Sequence, residues 1–425
     1  MVYVLSKDGR PLMPTERYGK VKHLLRTGKA KVVKRCPFTI KLLYDTTTYT
    51  QPLTLGIDTG SGTFGAAVCD TNGKIVYASE VTVRNDITKT LDERRSYRRN
   101  RRNRKTRYRK ARFNNRRNSI KNGRFSPTIR SKIQSHCKEI EFVKRLLPIT
   151  KLVLETGIFD PHLLKNPLLA LKQFKHWGYQ QGPKYGYENT RAMVLERDNY
   201  LCQACHGKSN DTRLNVHHIV YRSNKGSDDQ RNLITLCKKC HDKLHNGYLK
   251  LNLTGVAKGN LVHATQMNII RKQLLKIYPG AIETFGYVTK ANRQMLGLEK
   301  AHYIDASVIA SAGTRPILPK EIYKKVCIPQ GDFKKSQGVR SEQWLTTGKI
   351  CGFRKYDKVL YNNKECFVKG RMSSGYAILM DITGKKICFN NAPKGMKTPK
   401  LANMQRLEAR TSWMVKKEAV TQNTA

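Results

Sequence analysis

The sequence predicts a multidomain protein that combines α/β and α+β parts. Three observations predict it. At 425 residues the chain is long enough for roughly two to four domains, each with its own core. Its first half alternates apolar strand-like runs, an Asn-Gly hairpin signal and long helical patterns. A dense Cys/His cluster follows, and the last hundred residues alternate short strands with turns.

The elements run in this order. Residues 2–5 read as a strand, Pro11-Leu12-Met13-Pro14 as a turn, residues 17–26 as a short helix, and residues 31–34 and 38–44 as two strands. This is a small α+β module, weak on its own because it buries little surface. Residues 53–57 form a mostly apolar strand ending in Asp58, followed by the turn Thr59-Gly60-Ser61-Gly62. Residues 64–69 and 74–81 read as a hairpin over Asp70-Thr71-Asn72-Gly73. Ser126-Pro127 starts a helix of about 20 residues that Pro148 ends. Residues 151–154 are a further apolar strand ending in Glu155. Helices are predicted over 268–277 and 301–312. Strands are predicted over 358–361, 365–369, 376–381 and 385–389, a spacing that suggests a small β-barrel or sandwich.

Lys and Arg total 81 against 31 acids, a formal charge of +50. Such a chain repels itself and calls for a polyanion, with nucleic acid as the default partner and a membrane surface as the weaker one. No apolar run of 18 residues and no signal peptide is visible, so no membrane span is expected. Four of the eleven cysteines sit in metal-ligand pairs and seven are scattered, which fits reduced thiols in a cytosol.

The charge concentrates in one run. Residues 94–117 hold 14 Arg or Lys in 24 positions, and no carboxylate occurs between Glu93 and Glu139. As a helix the run would be about 36 Å long, with cations on every face. A disordered basic tail or a targeting run would have the same composition. The run is internal, however, and Leu91, Tyr97, Tyr108 and Phe113 offer points of attachment. Ordered contact with nucleic acid is therefore the expectation, through Arg94, Arg95, Arg98, Arg99, Arg101, Arg102, Arg104 and Arg109.

Between Leu201 and His245 the chain places Cys202, Cys205, His217, His218, Asn232, Cys237, Cys240, His241 and His245. The two Cys-x-x-Cys pairs lie 31 residues apart, and each can put two thiolates on one tetrahedral Zn²⁺. The gap is too long for a plain zinc ribbon. It carries a strand over 216–220 and the turn-rich 223–229, and residues 238–245 then read as a helix, giving a ββα shape. A zinc-stapled binding module with incidental histidines is the plainer reading. Four His and a central Asn are more than folding requires.

This set resembles the HNH nuclease family, in which a His or Asp precedes a His, then an Asn, then a His, often within four zinc cysteines. The resemblance implies His218 as the general base, His217 and His241 as ligands of a catalytic Mg²⁺, and Asn232 as the brace of the loop orienting the base. His245 is a possible further ligand. An imidazole titrates near neutral pH, and a metal stabilises charge on a phosphorane. Neighbours on a regular strand face opposite sides. His217 and His218 can therefore share one metal only if the strand ends or bulges there.

Acids are scarce, so acids placed at the ends of buried strands stand out. Helix caps and surface charges are the plain reading of each one alone. Together, Gly56-Ile57-Asp58-Thr59-Gly60, Val153-Leu154-Glu155 and His302-Tyr303-Ile304-Asp305-Ala306 resemble the RuvC-like nucleases of ribonuclease H fold. His302 and Asp305 share a helix face. The resemblance implies Asp58, Glu155 and Asp305 as ligands of two Mg²⁺ (or Mn²⁺) ions about 4 Å apart. It implies His302 as base or ligand.

The order of parts is similar to that of the IscB family, compact transposon-encoded RNA-guided nucleases related to the large CRISPR effector with the same two nuclease domains. Pro11-Leu12-Met13-Pro14 matches the motif of their N-terminal domain, and Arg98-Arg99-Asn100-Arg101-Arg102 their Arg-Arg-x-Arg-Arg bridge helix. Thr59 stands where the family commonly has Pro. The implied layout is an N-terminal domain (1–50), a split ribonuclease H-like domain (51–90, 121–176 and 256–315), an arginine-rich bridge helix (91–120), an inserted zinc-stapled HNH domain (177–255) and a small C-terminal β domain (316–425). The implied function is RNA-guided DNA cleavage in a prokaryotic cytoplasm, by one protein chain bound to a guide (omega) RNA. The target is double-stranded DNA with a short flanking motif, and no membrane is involved. HNH would cut the RNA-paired strand and the RuvC-like site the displaced one. Two rivals are a homing or restriction-like HNH endonuclease reading DNA directly, and a non-catalytic RNA-binding protein. Neither the second acidic set nor the arginine helix follows from the first, and the second leaves a full ligand set unused.

Overall fold

A computed structural model of the chain describes residues 1–103, 125–160, 164, 185–224, 226–251, 261–329, 349–372, 374–389 and 399–420. Two compact units emerge: residues 1–158 with 266–425, and residues 159–265.

The first unit is built on a seven-stranded sheet. Its strands are β4 (Leu53–Asp58), β5 (Thr63–Cys69), β6 (Ile75–Thr82), β7 (Ile149–Thr156), β10 (Ile282–Phe285), β11 (Glu321–Cys327) and β16 (Trp413–Ala419). They lie in the order β10-β7-β4-β5-β6-β11-β16. The inner strands are covered on both faces, hence their nearly continuous apolar sequences. Alternate residues divide between two cores. Ala66 and Val68 join Leu55 and Ile57 in a large core, while Ala67 and Cys69 join Ile75 and Ala78 in a smaller one. The large core is closed by α3 (Pro127–Leu146), which contributes Ile129, Ile133, Ile140 and Val143. Ser126 caps α3 by accepting from the Ile129 amide, and Pro127 takes the first turn. The smaller core is closed by α8 (His302–Ala310), through Ala306 and Ala310.

The hairpin turn forms as expected. Asp70 Oδ1 accepts from the amides of Asn72 and Lys74 at 2.9 Å, and Gly73 takes φ 79°. A three-stranded sheet, β1 (Tyr3–Leu5), β3 (Thr39–Leu42) and β2 (Ala30–Lys34), packs with α1 (Tyr18–Arg26) around its own small core.

The basic helix, α2 (Ile87–Asn103), begins earlier than the charge run does. Arg94, Arg95, Arg98 and Arg99 are exposed on it. Arg101 and Arg102 lie on its last turn. Arg104, Tyr108, Arg109 and Phe113 lie outside the described residues.

The last hundred residues depart from the expected barrel or sandwich. β11 and β16 pair with each other along their whole length and extend the large sheet. Among the described residues, β12 (Lys358–Tyr361), β13 (Lys364–Arg371), β14 (Ala377–Met380) and β15 (Gln405–Glu408) form a separate antiparallel sheet, ordered β14-β13-β12-β15. The run 385–389 contributes one isolated bridge, Met380 to Lys386.

A charged pair sits inside the large core. Lys325 of β11 and Glu139 of α3 are both buried, with Nζ 2.7 and 2.8 Å from the two carboxylate oxygens. Tyr77 and Ser79 of β6 donate to Glu139 Oε1 at 2.7 and 2.8 Å. Lys325 Nζ also lies 4.0 Å from the centre of the Phe142 ring and 4.7 Å from that of Trp413. A buried pair tolerates its desolvation only when every donor and acceptor is used, as here. Lys325→Ala should leave an uncompensated carboxylate and cost about 3–5 kcal/mol. Thermal unfolding checks this; Lys325→Met with Glu139→Leu should recover most of the loss, and a single variant as stable as the parent contradicts it.

The second unit holds α4 (Thr190–Arg197), the hairpin β8 (Leu214–His218) with β9 (Leu233–Cys237), and α5 (Lys238–His245). Asn189 caps α4 by accepting from the Ala192 amide.

Candidate active sites

The acidic site lies on the α8 face of the large sheet. Asp58 and Glu155 are register partners on the adjacent parallel strands β4 and β7, at the carboxyl ends of both. Each occupies its strand rather than the loop beyond it. Thr59 Oγ1 donates to the Glu155 carbonyl at 2.6 Å, fixing the turn to β7. On the opposite face, buried His136 stacks on Phe64 and takes the Gly60 amide at 3.4 Å. Lys132 Nζ donates to Gln266 Oε1 at 2.7 Å and to the Ser61 carbonyl, so the turn after Asp58 is held from below.

His302 and Asp305 come from the first turn of α8. His302 Nδ1 lies 2.6 Å from Asp58 Oδ2, and this bond raises the imidazole above its ordinary pKa. Burial pushes Asp58 up, with His302 opposing. Burial and then Asp58 push Asp305 up. Arg293 Nε approaches Asp305 Oδ1 to 2.8 Å, although the two are not aligned as a hydrogen bond. Burial, and next the Asp58 charge, raise Glu155 to about 7. Glu155 Oε2 is buried with no hydrogen-bond partner among the described residues. Three crowded acids and one orphaned oxygen are a donor set suited to a hard divalent cation.

The sequence reading missed β10 and α7 (Gly286–Met295), which wall this site. They supply Thr289, which lowers the Glu155 pKa, and Arg293. Gly286 lets the chain pass close, since a Cβ there would stand 3.0 Å from Glu155 Oε1. No spacing in the sequence linked these residues to Asp58.

The histidine site lies in the second unit. His241 and His245 are one turn apart on α5, with Nε2 atoms 3.3 Å from each other. The His217 ring is 5.1 Å from each, and one ring nitrogen of all three falls within 4.8 Å of the others. His217 is pushed down to about 4, first by burial and then by His241. It is therefore neutral at physiological pH, the form that donates a lone pair to a metal. The structure thus brings His245 fully into the set with His217 and His241.

His218, the last residue of β8, does not join them. Its Nε2 lies 2.8 Å from Asp228 Oδ1. Strand alternation therefore sends His217 toward His241 and His245 and His218 toward Asp228, and neither needs to turn toward the other's partner. Asn232 is buried and braces the intervening loop: its Oδ1 accepts from the Val220 amide, and its Nδ2 donates to the Val220 and Ser227 carbonyls at 3.0 and 2.8 Å. Tyr221 of that loop meets His217 edge-on and stacks on His245.

The four cysteines converge beside this hairpin, with their sulfurs within 4.8 Å of one another. Cys205 and Cys237 Sγ are 3.9 Å apart. A tetrahedron of Zn–S bonds of about 2.3 Å puts thiolates about 3.8 Å apart, so the spacing fits Zn²⁺. Ser209, bonded to Cys205, lowers that thiol to about 6, whereas burial raises Cys240.

Two predictions follow from these sites. Elemental analysis of protein stripped of Mg²⁺ should find about one zinc per chain, and Cys237→Ala should lose it; a folded, zinc-free parent excludes the staple. Glu155 keeps its proton up to about 7 when folded but only to about 4.5 when unfolded. Without divalent cations, stability should therefore fall as pH rises through that window and stay lowered above it. Glu155→Gln should flatten the fall, and Mg²⁺ should raise the parent's melting temperature most above the window. Equal pH dependence in parent and variant removes Glu155 as its source.

Known families match both regions. The RRXRR protein family matches residues 2–182, and the HNH endonuclease family matches residues 202–247. Anaredoxin of Nostoc sp. is 33% identical over 69 residues, covering 16% of this chain and 88% of that protein. Among solved structures, the chain is similar to Streptococcus thermophilus Cas9 in complex with the AGAA PAM and with the GGAA PAM. Identity is 13%, TM-scores are 0.29 and 0.28, and the likeness covers 44% of this chain. The chain spans 26% of each Cas9 chain. The chain therefore carries an RRXRR region followed by an HNH endonuclease domain, the combination of an IscB/Cas9-like nuclease.

Proposed function

We propose that this protein is an RNA-guided DNA endonuclease with two hydrolytic sites, one for each DNA strand. The observation that carries the proposal is the presence of two separate constellations suited to phosphodiester cleavage, one in each folded unit. A chain of formal charge +50 with Arg94, Arg95, Arg98 and Arg99 exposed on one helix supports a nucleic-acid partner. The RRXRR match and the IscB-like layout favour a guide RNA as that partner, its phosphates resting on the arginine helix.

In the histidine site, His218 takes a proton from the attacking water. His217, His241 and His245 would hold a divalent cation, and Asn232 keeps the loop beside them in place. In the acidic site, Asp58, Glu155 and Asp305 would hold cations, with His302 orienting Asp58 and available for proton transfer. Bound Mg²⁺ (or Mn²⁺) would neutralise charge developing on the phosphate oxygens. The histidine site would cut the RNA-paired strand and the acidic site the displaced strand. The flanking DNA motif would be read by the C-terminal β region, with the heteroduplex held by its backbone.

The test starts from RNA that copurifies with the protein. That RNA is sequenced, and a DNA duplex matching its variable end is labelled on each strand. The parent should cut both strands. His218→Ala should nick only the displaced strand, and Asp58→Ala only the RNA-paired strand. Intact double cutting by His218→Ala overturns the first site, and loss of both cuts in Asp58→Ala overturns their independence. A protein that carries no RNA yet cleaves DNA is a direct reader of DNA instead.

A further inference from the structure

We propose that Asp228 is a positioning residue for His218: held by Arg222, its carboxylate accepts the Nε2 proton of His218 and leaves Nδ1 as the nitrogen that takes a proton from water. The inference rests on the histidine site being hydrolytic, as proposed above.

The geometry is specific. Asp228 Oδ1 lies 2.8 Å from His218 Nε2 and also accepts from Arg222, at 2.8 Å from Nη2 and 3.1 Å from Nε. An ionised carboxylate can only accept, so His218 must donate through Nε2. In a neutral imidazole the lone pair then sits on Nδ1. Hydrogen bonds from His218 and then Arg222 hold the Asp228 carboxyl below its ordinary range, and the two bonds from Arg222 limit its rotation.

An exposed ion pair usually fixes little, because its side chains are free to move. Here the backbone under Asp228 is pinned. Asn232 Nδ2 holds the carbonyl of Ser227, the preceding residue, at 2.8 Å. The Asp229 carbonyl accepts from the Asn232 amide at 2.9 Å. Gly226 lets the loop cross itself, since a Cβ there would stand 1.7 Å from the Val220 carbonyl oxygen. Asn232 therefore supports the base through Ser227 and Asp228, by the hydrogen bonds its side chain and amide make to the loop.

The experiment uses the full chain with its copurifying RNA and the strand-labelled duplex. Asp228→Ala should lower kcat for the strand cut by the histidine site about 10- to 100-fold. KM, zinc content and cutting of the other strand should stay as in the parent. Arg222→Gln should lower the same rate by less. Isotope-labelled histidine in the parent should report His218 as the Nε2–H tautomer, and Asp228→Ala should move it toward a mixture. Parental kcat in Asp228→Ala, or an Nδ1–H tautomer in the parent, overturns the proposal. If Asp228→Ala cuts neither strand, the parent's tautomer decides. His218→Ala separates the two readings: if it leaves both strands cut, the hydrolytic assignment fails, whereas its loss of one cut beside a fully active Asp228→Ala fails only this inference.

Discussion

The contact on which the acidic site depends is between backbones. Helix α8 lies directly on β4 and β5 because two strand positions lack side chains. A Cβ at Gly65 would stand 1.9 Å from the His302 carbonyl oxygen, and one at Gly56 would stand 2.6 Å from that of Ala306. Glycine gives up rotational entropy and packing in a strand, and close approach of another backbone is what that loss permits. The helix answers with Ala306 and Ala310 on the same side. An ordinary helix-on-sheet spacing would lift α8 away, and with it His302 from Asp58. Sequence here sets a distance between two backbones, and that distance assembles four titratable groups from three elements far apart in the chain.

Burial shifts the titratable groups of the two sites in opposite directions. In the acidic site, burial raises all three carboxyl groups, and the Asp58 charge adds to it at Glu155 and Asp305, so ionisation of the set is unfavourable. In the histidine site, burial lowers His217, so the imidazole is already neutral and its lone pair free. Under the proposed cation binding, the first site would have its crowded charge relieved, and the second would offer a lone pair that is already free. Their scaffolds differ accordingly. The acids rest on a wide sheet with a core on each face. The histidines rest on a hairpin and a short helix with a small core in which Cys202, Cys237 and Cys240 are themselves members. A module with so little apolar surface needs a covalent or metal staple.

What was legible in the sequence was local. The apolar run into Asp58, the Asn-Gly turn, the Ser-Pro helix start and the two Cys-x-x-Cys pairs each carry their geometry within a few residues. His302 and Asp305 declared a shared helix face by their spacing. The hidden parts depend on partners far away. β11 reads Glu-Ile-Tyr-Lys-Lys-Val-Cys, and its lysines suggest an exposed segment. Lys325 is buried only because Glu139 waits on α3, and β16 carries a similar lysine pair. β10 has four residues and little apolar character, so nothing marks it as the edge of the large sheet. Without β10 and α7, Thr289 and Arg293 could not be connected to the acids. Asp228 lay in a turn-rich stretch where a carboxylate is ordinary; only the fold brings it to His218.

The position of the second unit in the chain follows from the sheet. β7 and β10 are adjacent and parallel, so the chain between them must cross over rather than turn back. Helix α6 (Leu261–Ile277) serves that crossover and buries Ile270 and Leu274 in the large core. The inserted unit occupies the connection from β7 to α6, just beyond Glu155. Lengthening such a connection costs little, because closure entropy grows only with the logarithm of its length. The sheet can therefore keep its register whether the insertion is long or short, and the insertion must fold by its own means, which the four cysteines supply. Separate stabilisation makes separate chemistry possible: among the described residues, the acidic set lies wholly in the first unit and the histidine set wholly in the second.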